Sequence, residues 1–251
     1  MKTALITGAS SGIGRDIARE LSARGWRLLL AARRRDRLEQ LAKELGTPCR
    51  IYVCDVSKTK NCYWLYERTR EQGDDLVVNS AGFGLYGNFI DTDLERELEM
   101  IDVNIRAVHI LTKLFVRDFQ ARGSGSILNI ASSAGFLAGP LLSTYYATKN
   151  YVVRLSEAIY EELRVAGSAV TISCLCPGPV DTEFNQVAGA RFSIPSLTSA
   201  EVAKAAVEGT LAGKLLIIPG GSVKLGVLAS RFALEKPLLR IMRGIQEKKG
   251  G

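Results

Sequence analysis

A phenol and an ammonium lie four residues apart in the chain, as Tyr145 and Lys149, and the hydroxyl of Ser132 precedes the phenol by thirteen residues. Residues i and i+4 share one face of a helix, so these two side chains can converge on one point. A phenol with its usual pKa near 10 is too weak an acid for proton transfer at neutral pH. An ammonium about 4 Å away contributes roughly 4 kcal/mol at an effective dielectric constant near 20, or about 3 pKa units. We therefore expect Lys149 to bring the pKa of Tyr145 to about 7.

Proton transfer at a phenol suits the reduction of a ketone and its reverse. Reduction needs a hydride on carbon and a proton on oxygen, and a reduced nicotinamide coenzyme carries only the hydride. Tyr145 would then be the general acid/base, and Ser132 would donate a hydrogen bond to the substrate oxygen. The alternative is that both hydroxyls are structural. His109, the single histidine, is expected to be an ordinary residue of a helix from Asp93 to Phe119, so histidine catalysis is not predicted.

A glycine-rich turn near the start of the chain has the spacing G-x-x-x-G-x-G, between a predicted buried strand at 2–7 and a predicted helix at 13–21. A strand, a tight turn and a helix N-terminus direct backbone N–H groups and a positive dipole end at one place, which suits a pyrophosphate. The alternative is a glycine turn without a ligand. The expected contacts are Gly8, Ser10, Ser11, Gly12, Ile13 and Gly14.

The residues after the second predicted strand indicate which coenzyme is bound. A dinucleotide fold places an acid here to hold the ribose 2′-hydroxyl, or an arginine to hold a 2′-phosphate. Ala32 stands in the place of the acid, and Arg33 and Arg34 follow it. We expect these two arginines to bind the phosphate of NADP(H), with no carboxylate near enough to repel it. Arg35 and Arg37 are expected to be solvated.

Two further strand ends are expected to contact the coenzyme. Asp55 and Val56 follow the third strand, where the carboxylate could accept from the adenine amino group or cap the helix that starts near residue 58. Asn79, Ala81 and Gly82 end the fourth strand, where small residues let a nucleotide lie across the sheet edge.

Asn104 is a polar residue on an apolar helix face. It shares that face with Ile101 and Val108, and a buried amide needs hydrogen-bond partners. Two alternatives remain open, a nearby backbone group or a water chain that serves Lys149.

Strand-like and helix-like runs alternate along the chain, which predicts an α/β doubly wound parallel sheet in a single domain at 1–251. Five cysteines without metal-ligand spacing predict a reducing, cytoplasmic location and no metal site, and Cys174 and Cys176 are expected in the core. No run of about 20 apolar residues and no signal peptide is predicted. The predicted strands are 2–7, 27–31, 50–54, 75–79, 125–130, 169–175 and 215–218.

These motifs, taken together and in order, resemble the short-chain dehydrogenase/reductase family in its short single-domain branch. The resemblance spans about residues 2–220; the family usually shows a second asparagine where this chain has Ser80. It implies a Rossmann-like sheet in the order 3-2-1-4-5-6-7 and a homodimer or homotetramer. The catalytic residues that it implies are Asn104, Ser132, Tyr145 and Lys149. Its coenzyme contacts include Tyr145, Lys149, Pro177, Gly178, Val180 and Thr182, with Val180 and Thr182 at the nicotinamide carboxamide.

Apolar residues near the predicted site indicate a lipophilic carbonyl or alcohol substrate, held under a lid at 183–198. The alternative is that these residues pack the core or a dimer contact. A 3-oxoacyl thioester reductase is the close alternative activity, and a dinucleotide-sensing protein without catalysis is the alternative from another class. The expected substrate contacts are Phe83, Leu85, Tyr86, Phe184 and Phe192.

The chain carries a net charge of +7. Residues 231–251 contain six Lys/Arg and two Asp/Glu, so +4 of this charge lies in the tail. The mixture of charged and apolar residues at 222–251 predicts a basic amphipathic tail that packs on a partner subunit or lies on an anionic bilayer, and we favour the subunit. No motif indicates nucleic-acid binding.

Overall fold

A seven-stranded parallel sheet forms the centre of the computed structural model, which describes residues 1–189, 197–230 and 232–247. Two further strands, the seventh and eighth, pair with each other apart from this sheet. The strands are β1 Thr3–Thr7, β2 Arg27–Ala32, β3 Cys49–Val53, β4 Asp74–Asn79, β5 Ser126–Ile130, β6 Thr171–Leu175, β7 Val180–Asp181, β8 Leu197–Thr198 and β9 Leu216–Ile217.

The order of the main sheet is β3-β2-β1-β4-β5-β6-β9, so the predicted order and the predicted α/β class are confirmed. Every residue of β1 is buried, because this strand lies between β2 and β4 and both of its faces are covered. The predicted strand ends differ from the observed ones by a few residues at most. The small β7–β8 sheet was not predicted, since two-residue strands carry no periodicity.

Helices cover both faces of the sheet. The predicted helix from Asp93 to Phe119 consists of a helix at Leu94–Ile101, a six-residue π-helical segment at Asp102–Ala107 and a helix at Val108–Arg122. The helices are α1 Gly12–Ala23, α2 Arg35–Glu44, α3 Thr59–Thr69, α4 Leu94–Ile101, α5 Val108–Arg122, α6 Ser143–Val165, α7 Glu183–Ala188, α8 Ser199–Leu211, α9 Gly221–Ser230 and α10 Glu235–Glu247.

Alternate strand residues divide the core into two clusters, one on each side of the sheet. Leu5 and Val77 face the cluster that contains α3 and α5, whereas Ile6 and Val78 face the cluster that contains α1 and α8. Cys174 and Cys176 are fully buried in a third cluster beside α6, as predicted. With both faces covered, the carboxyl edge of the sheet is the accessible place for a ligand.

The last two helices are only partly packed on the domain. Met242 and Gln246 of α10 are buried, whereas Leu225, Leu228 and Phe232 expose more than half of their surface. Among the residues that the structure describes, none of the helices has the length and apolar character needed to cross a bilayer.

Candidate active site

A cavity opens at the carboxyl edge of the sheet and collects most of the predicted site residues. We call it the site cavity. Among the predicted residues, it is lined by Gly8, Ser10, Ser11, Gly12, Ile13, Gly14, Arg33, Arg34, Asp55, Val56, Ala81, Gly82, Phe83, Ser132, Tyr145, Lys149, Pro177, Gly178, Val180, Thr182 and Phe184.

The glycine turn forms one wall, between β1 and α1. Gly8 has φ +68°, and a Cβ there would lie 2.7 Å from the backbone nitrogen of Ala81. A Cβ on Gly14 would lie 2.6 Å from the Gly8 carbonyl oxygen. Gly8 therefore needs its left-handed backbone, and Gly14 lets the first turn of α1 pack on the loop. The close approach at Gly14, one of the predicted coenzyme contacts, is to the protein's own backbone.

Tyr145 and Lys149 lie on one face of α6, as the spacing predicted, and both are buried. The Lys149 Nζ donates a hydrogen bond to the Ile130 carbonyl, 2.9 Å away, and lies 5.8 Å from the centroid of the Tyr145 ring. Burial raises the pKa of Tyr145 above its ordinary value of 10, and the hydroxyl of Ser132 opposes this shift. The expected pKa of about 7 is therefore wrong for the chain alone. Desolvation is the largest cause of the shift, and the ammonium of Lys149 donates to a carbonyl.

Burial also acts on the ammonium itself. It lowers the pKa of Lys149 from 10.5 to about 8, because the charged form loses its hydration. A Cβ on Gly82 would lie 3.1 Å from Asn104 Oδ1 and 3.4 Å from the Lys149 Nζ, so Gly82 packs closely between the buried amide and the ammonium.

Ser132 follows β5 and faces the same cavity. Its Oγ accepts from the backbone N–H of Ala134 at 3.2 Å, which caps a short 3₁₀ helix at Ser133–Phe136. The hydroxyl also donates to the Pro177 carbonyl at 3.5 Å, a long hydrogen bond. This hydroxyl can therefore turn to a substrate oxygen at little cost.

Asn104 is fully buried in the π-helical segment and does not line the cavity. Its Oδ1 accepts from the Phe83 N–H at 3.1 Å, and its Nδ2 donates to the Phe83 carbonyl at 2.9 Å and to the Thr148 hydroxyl at 3.0 Å. Of the two alternatives for this amide, the nearby backbone group is the one observed. Asn104 joins the β4 edge to α6, and so it positions the residue that follows Gly82. The π turn that turns the amide inward is typical of functional segments.

Asp55 lines the cavity, and its Oδ1 accepts from the Ser57 N–H at 3.0 Å. The N-cap of α3 is Lys58, so the predicted helix-capping alternative for Asp55 is wrong. The carboxylate closes a local turn instead, and this turn holds it at the cavity wall.

Asn79 is a correction to the predicted coenzyme contacts. It lies away from the cavity, and its Nδ2 donates to Asn129 Oδ1 at 2.9 Å and to Thr112 Oγ1 at 3.1 Å. As the last residue of β4, it points to the sheet side that carries α5, opposite to Ser80. Successive side chains of a strand point to opposite faces of the sheet, which sets the direction of Asn79. Asn79 therefore has a structural role.

Two of the predicted substrate contacts also lie outside the cavity. Leu85 packs against the core, and the Tyr86 hydroxyl donates to the Gln246 carbonyl at 3.2 Å. Phe83 and Phe184 do line the cavity, whereas Phe192 lies outside the described residues, as does part of the predicted lid at 183–198.

Tyr146 also lines the cavity, although it is not among the predicted site residues. Its hydroxyl accepts from the side chain of Gln246, which is fully buried. Gly139 gives the ring its space, since a Cβ there would lie 2.4 Å from it. The apolar residues of α10 indicate that this helix packs on the domain. Residue spacing could not show that it packs against Tyr146 of α6.

The arginines at the other end of the cavity differ from the prediction. Arg33 donates to Glu99 at 3.1 Å and is mostly exposed. Arg34 donates to the hydroxyls of Ser10 at 3.1 Å and Ser11 at 2.8 Å, and to Glu183 at 2.9 Å. The expectation that no carboxylate lies near is therefore wrong.

The outer arginines of the run behave differently from each other. Arg35 is mostly exposed, as predicted, whereas Arg37 is only partly exposed and forms an ion pair with Glu183. Arg37 is therefore tied to the start of α7, and the prediction that it is solvated is wrong.

Comparison with known proteins agrees with this geometry. The family model of the short chain dehydrogenases matches residues 2–191. An oxidoreductase of Staphylococcus epidermidis is 34% identical over 187 residues, which cover 74% of this chain and 80% of that protein. The chain belongs to the short-chain dehydrogenase/reductase family.

Two solved structures share its fold. A short-chain dehydrogenase of Sphingobium yanoikuyae in complex with NADPH has a TM-score of 0.83 and 30% identity, covering 92% of this chain and 94% of that one. A short-chain dehydrogenase/reductase of Burkholderia phymatum in complex with NAD has a TM-score of 0.83 and 26% identity, covering 90% of this chain and 92% of that one. This chain is accordingly an oxidoreductase that acts on carbonyls or alcohols with a nicotinamide dinucleotide, NAD or NADP.

Proposed function

We propose that the protein is an NADP(H)-dependent oxidoreductase that interconverts a lipophilic ketone or aldehyde and its alcohol. The observation that carries this proposal is the position of Tyr145. Its phenol is buried in the cavity that also contains the glycine turn, with Ser132 beside it and the ring of Phe184 5.2 Å away, centroid to centroid. A proton donor, an oxygen-binding hydroxyl and an apolar wall thus meet at one end of a dinucleotide site.

The residues fit the coenzyme. Ser10, Ser11 and Arg34 form a cluster of hydroxyl and guanidinium donors next to the N-terminus of the twelve-residue helix α1, and such a cluster binds phosphate groups. The bound coenzyme supplies or accepts the hydride. Ala32 brings no carboxylate to the cavity, which supports a preference for a 2′-phosphate on Arg34.

The protein's own residues handle the proton. Burial keeps the phenol of Tyr145 protonated at neutral pH, which is the form that donates to a carbonyl oxygen during reduction. Ser132 holds that oxygen, and Lys149 brings positive charge to the same pocket, which lowers the cost of a phenolate after transfer.

The substrate end of the cavity is apolar. Its wall includes Phe83, Leu142, Tyr146, Phe184 and Val187, which supports a lipophilic substrate. Turnover of a panel of ketosteroids, aliphatic and aromatic ketones and 3-oxoacyl thioesters, followed by the absorbance of NADPH, tests the proposal. Preferred turnover of the free ketones is expected. Preferred turnover of the thioesters would favour the acyl thioester reductase, and no turnover of any carbonyl would overturn the proposal.

We propose further that the protein forms a homo-oligomer through its C-terminal helices. Leu225, Leu228 and Leu234 are 67%, 53% and 78% exposed, and a second subunit would remove this apolar surface from water. Leu225→Glu with Leu228→Glu should shift the mass in light scattering towards the monomer. If the mass is unchanged and vesicles with anionic lipid bind the wild type alone, the surface serves a bilayer.

A further inference from the structure

Glu183, the first residue of α7, lies between two arginines of the run that follows β2. Its Oε2 accepts from Arg34 Nη1 at 2.9 Å, and its Oε1 accepts from Arg37. These two guanidinium groups lower the pKa of Glu183, so the carboxylate is charged at neutral pH. One carboxylate is therefore shared between two cations, and the three side chains together keep a net charge of +1.

The two arginines differ in what else they contact. Arg34 lines the site cavity and also donates to the hydroxyls of Ser10 and Ser11, whereas Arg37 does not line the cavity. Arg34 is thus shared between the cavity, where a phosphate would be held, and a carboxylate of the protein. A phosphate dianion and a carboxylate present the same kind of oxygen acceptor to a guanidinium group.

We propose that Glu183 is a coenzyme-selectivity residue, which competes with the 2′-phosphate of the coenzyme for Arg34. The inference rests on the proposed use of NADP(H). It adds that Glu183 makes the preference for the coenzyme with the 2′-phosphate smaller than Arg34 alone would confer. A coenzyme without the 2′-phosphate leaves the Arg34–Glu183 pair in place and is not affected by the competition.

Arg34 can exchange the Glu183 carboxylate for a phosphate at low cost, because Arg37 still pairs with that carboxylate. When Arg34 turns to a phosphate, Glu183 keeps its ion pair with Arg37 and is not left without a partner. The Arg34–Glu183 pair is also partly exposed, with side-chain accessibilities of 41% and 35%, and such pairs are weak. Glu183 therefore lowers the affinity for the phosphate by a modest factor.

Adenosine 2′,5′-bisphosphate and adenosine 5′-monophosphate are the probes that isolate this contact, since they differ only in the 2′-phosphate and lack the nicotinamide. Their dissociation constants are measured by titration calorimetry with the full chain and with Glu183→Gln, Arg34→Ala and Glu39→Gln. The last variant is the matched control, because Glu39 pairs with Arg35 on the surface of α2, 3.6 Å apart.

Glu183→Gln should bind the bisphosphate about three- to fivefold more tightly, the factor that a partly exposed ion pair contributes. Its affinity for the monophosphate should stay within about twofold, and Glu39→Gln should change neither affinity by more than about twofold, since its charge is screened by solvent. An unchanged or weakened affinity of Glu183→Gln for the bisphosphate would overturn the inference. An equal gain in Glu39→Gln would also overturn it, since the effect would then be one of net charge.

Arg34→Ala separates this inference from the proposed function. If it weakens the bisphosphate but Glu183→Gln has no effect, Arg34 holds the phosphate without competition, and only the inference fails. If Arg34→Ala leaves the bisphosphate affinity unchanged, Arg34 does not bind the 2′-phosphate and the inference fails. The proposed use of NADP(H) fails only if the wild type also binds the bisphosphate no more tightly than the monophosphate, since Arg33 lines the same cavity.

Discussion

The ring of Phe184 packs against the ring of Tyr145, with 5.2 Å between the centroids and an angle of 52° between the planes. A Cβ on Gly84 would lie 2.8 Å from Phe184, so a glycine in the loop after β4 makes room for this contact. Helix α7 therefore forms the apolar side of the environment around the Tyr145 phenol.

Phe184→Ala should raise the KM for a lipophilic ketone about tenfold, since a buried aromatic contact with substrate is lost. The dissociation constant of the coenzyme should change little. Phe89→Ala is the control, because Phe89 is 64% exposed and does not line the cavity. Steady-state kinetics with both variants give the comparison, and equal KM values would remove Phe184 from the substrate wall.

Tyr145→Phe should lower kcat by about 10² to 10⁴, the usual contribution of a positioned general acid. Coenzyme binding should be retained, because the ring and its packing remain. Tyr151→Phe on the same helix is the control, since the Tyr151 hydroxyl contacts His109 at 2.7 Å and does not line the cavity. Wild-type turnover by Tyr145→Phe would show that the proton comes from another group.

The wild type should bind NADPH at least about tenfold more tightly than NADH, a difference of roughly 1.4 kcal/mol. Arg34→Ala should remove this preference, and Ala32→Asp combined with Arg34→Ala should reverse it, because the new carboxylate accepts from the 2′-hydroxyl. Arg35→Ala is the control. Fluorescence titration of the wild type and the three variants with both coenzymes measures the dissociation constants, and equal affinities in the wild type would contradict the NADP(H) proposal.

Asp74 should make the free energy of unfolding depend on pH. It is 1% exposed, neither carboxylate oxygen has a hydrogen-bond partner within the described residues, and burial raises its pKa from 3.8 to about 7. The folded state then binds the proton more tightly than the unfolded state, so the wild type loses stability as the pH rises from about 4 to about 7.

Asp74→Asn removes this titration. Relative to the wild type, its free energy of unfolding should rise across that pH range by up to roughly 4 kcal/mol. Urea unfolding at pH 4.5 and pH 8 measures the difference. Asp75→Asn is the control, since Asp75 accepts from the Thr3 N–H at 2.8 Å and is only partly buried. If the difference in the free energy of unfolding between Asp74→Asn and the wild type does not change with pH, the raised pKa of Asp74 is contradicted.

Gly14→Ala should destabilise the fold by about 1–3 kcal/mol, the usual cost of forced overpacking. The new Cβ would lie 2.6 Å from the Gly8 carbonyl oxygen, which is backbone and cannot move aside as a side chain can. Gly46→Ala, with no atom within 4 Å of the new Cβ, is the matched control. Thermal unfolding of the two variants tests this expectation. Equal unfolding midpoints would mean that the glycine turn accommodates the new methyl group without loss of stability.

The sequence alone determined the strands of the sheet and most of the site. Strand periodicity and glycine spacing are local properties, and parallel strands bring their carboxyl ends to one edge, so Gly8, Ser132 and Tyr145 were placed together correctly. Motif resemblance supplied the order of the strands, which a single chain's pattern does not contain.

Tertiary structure decided the partners and the protonation. Glu183 is 149 residues from Arg34, and Gln246 is 100 residues from Tyr146, so no spacing rule connects either pair. The pKa of Tyr145 depends chiefly on how completely the fold removes water from the phenol, and the hydrogen bond of the Lys149 ammonium goes to Ile130. Spacing places side chains on a common face, but packing sets the dielectric environment and the distances that govern their chemistry.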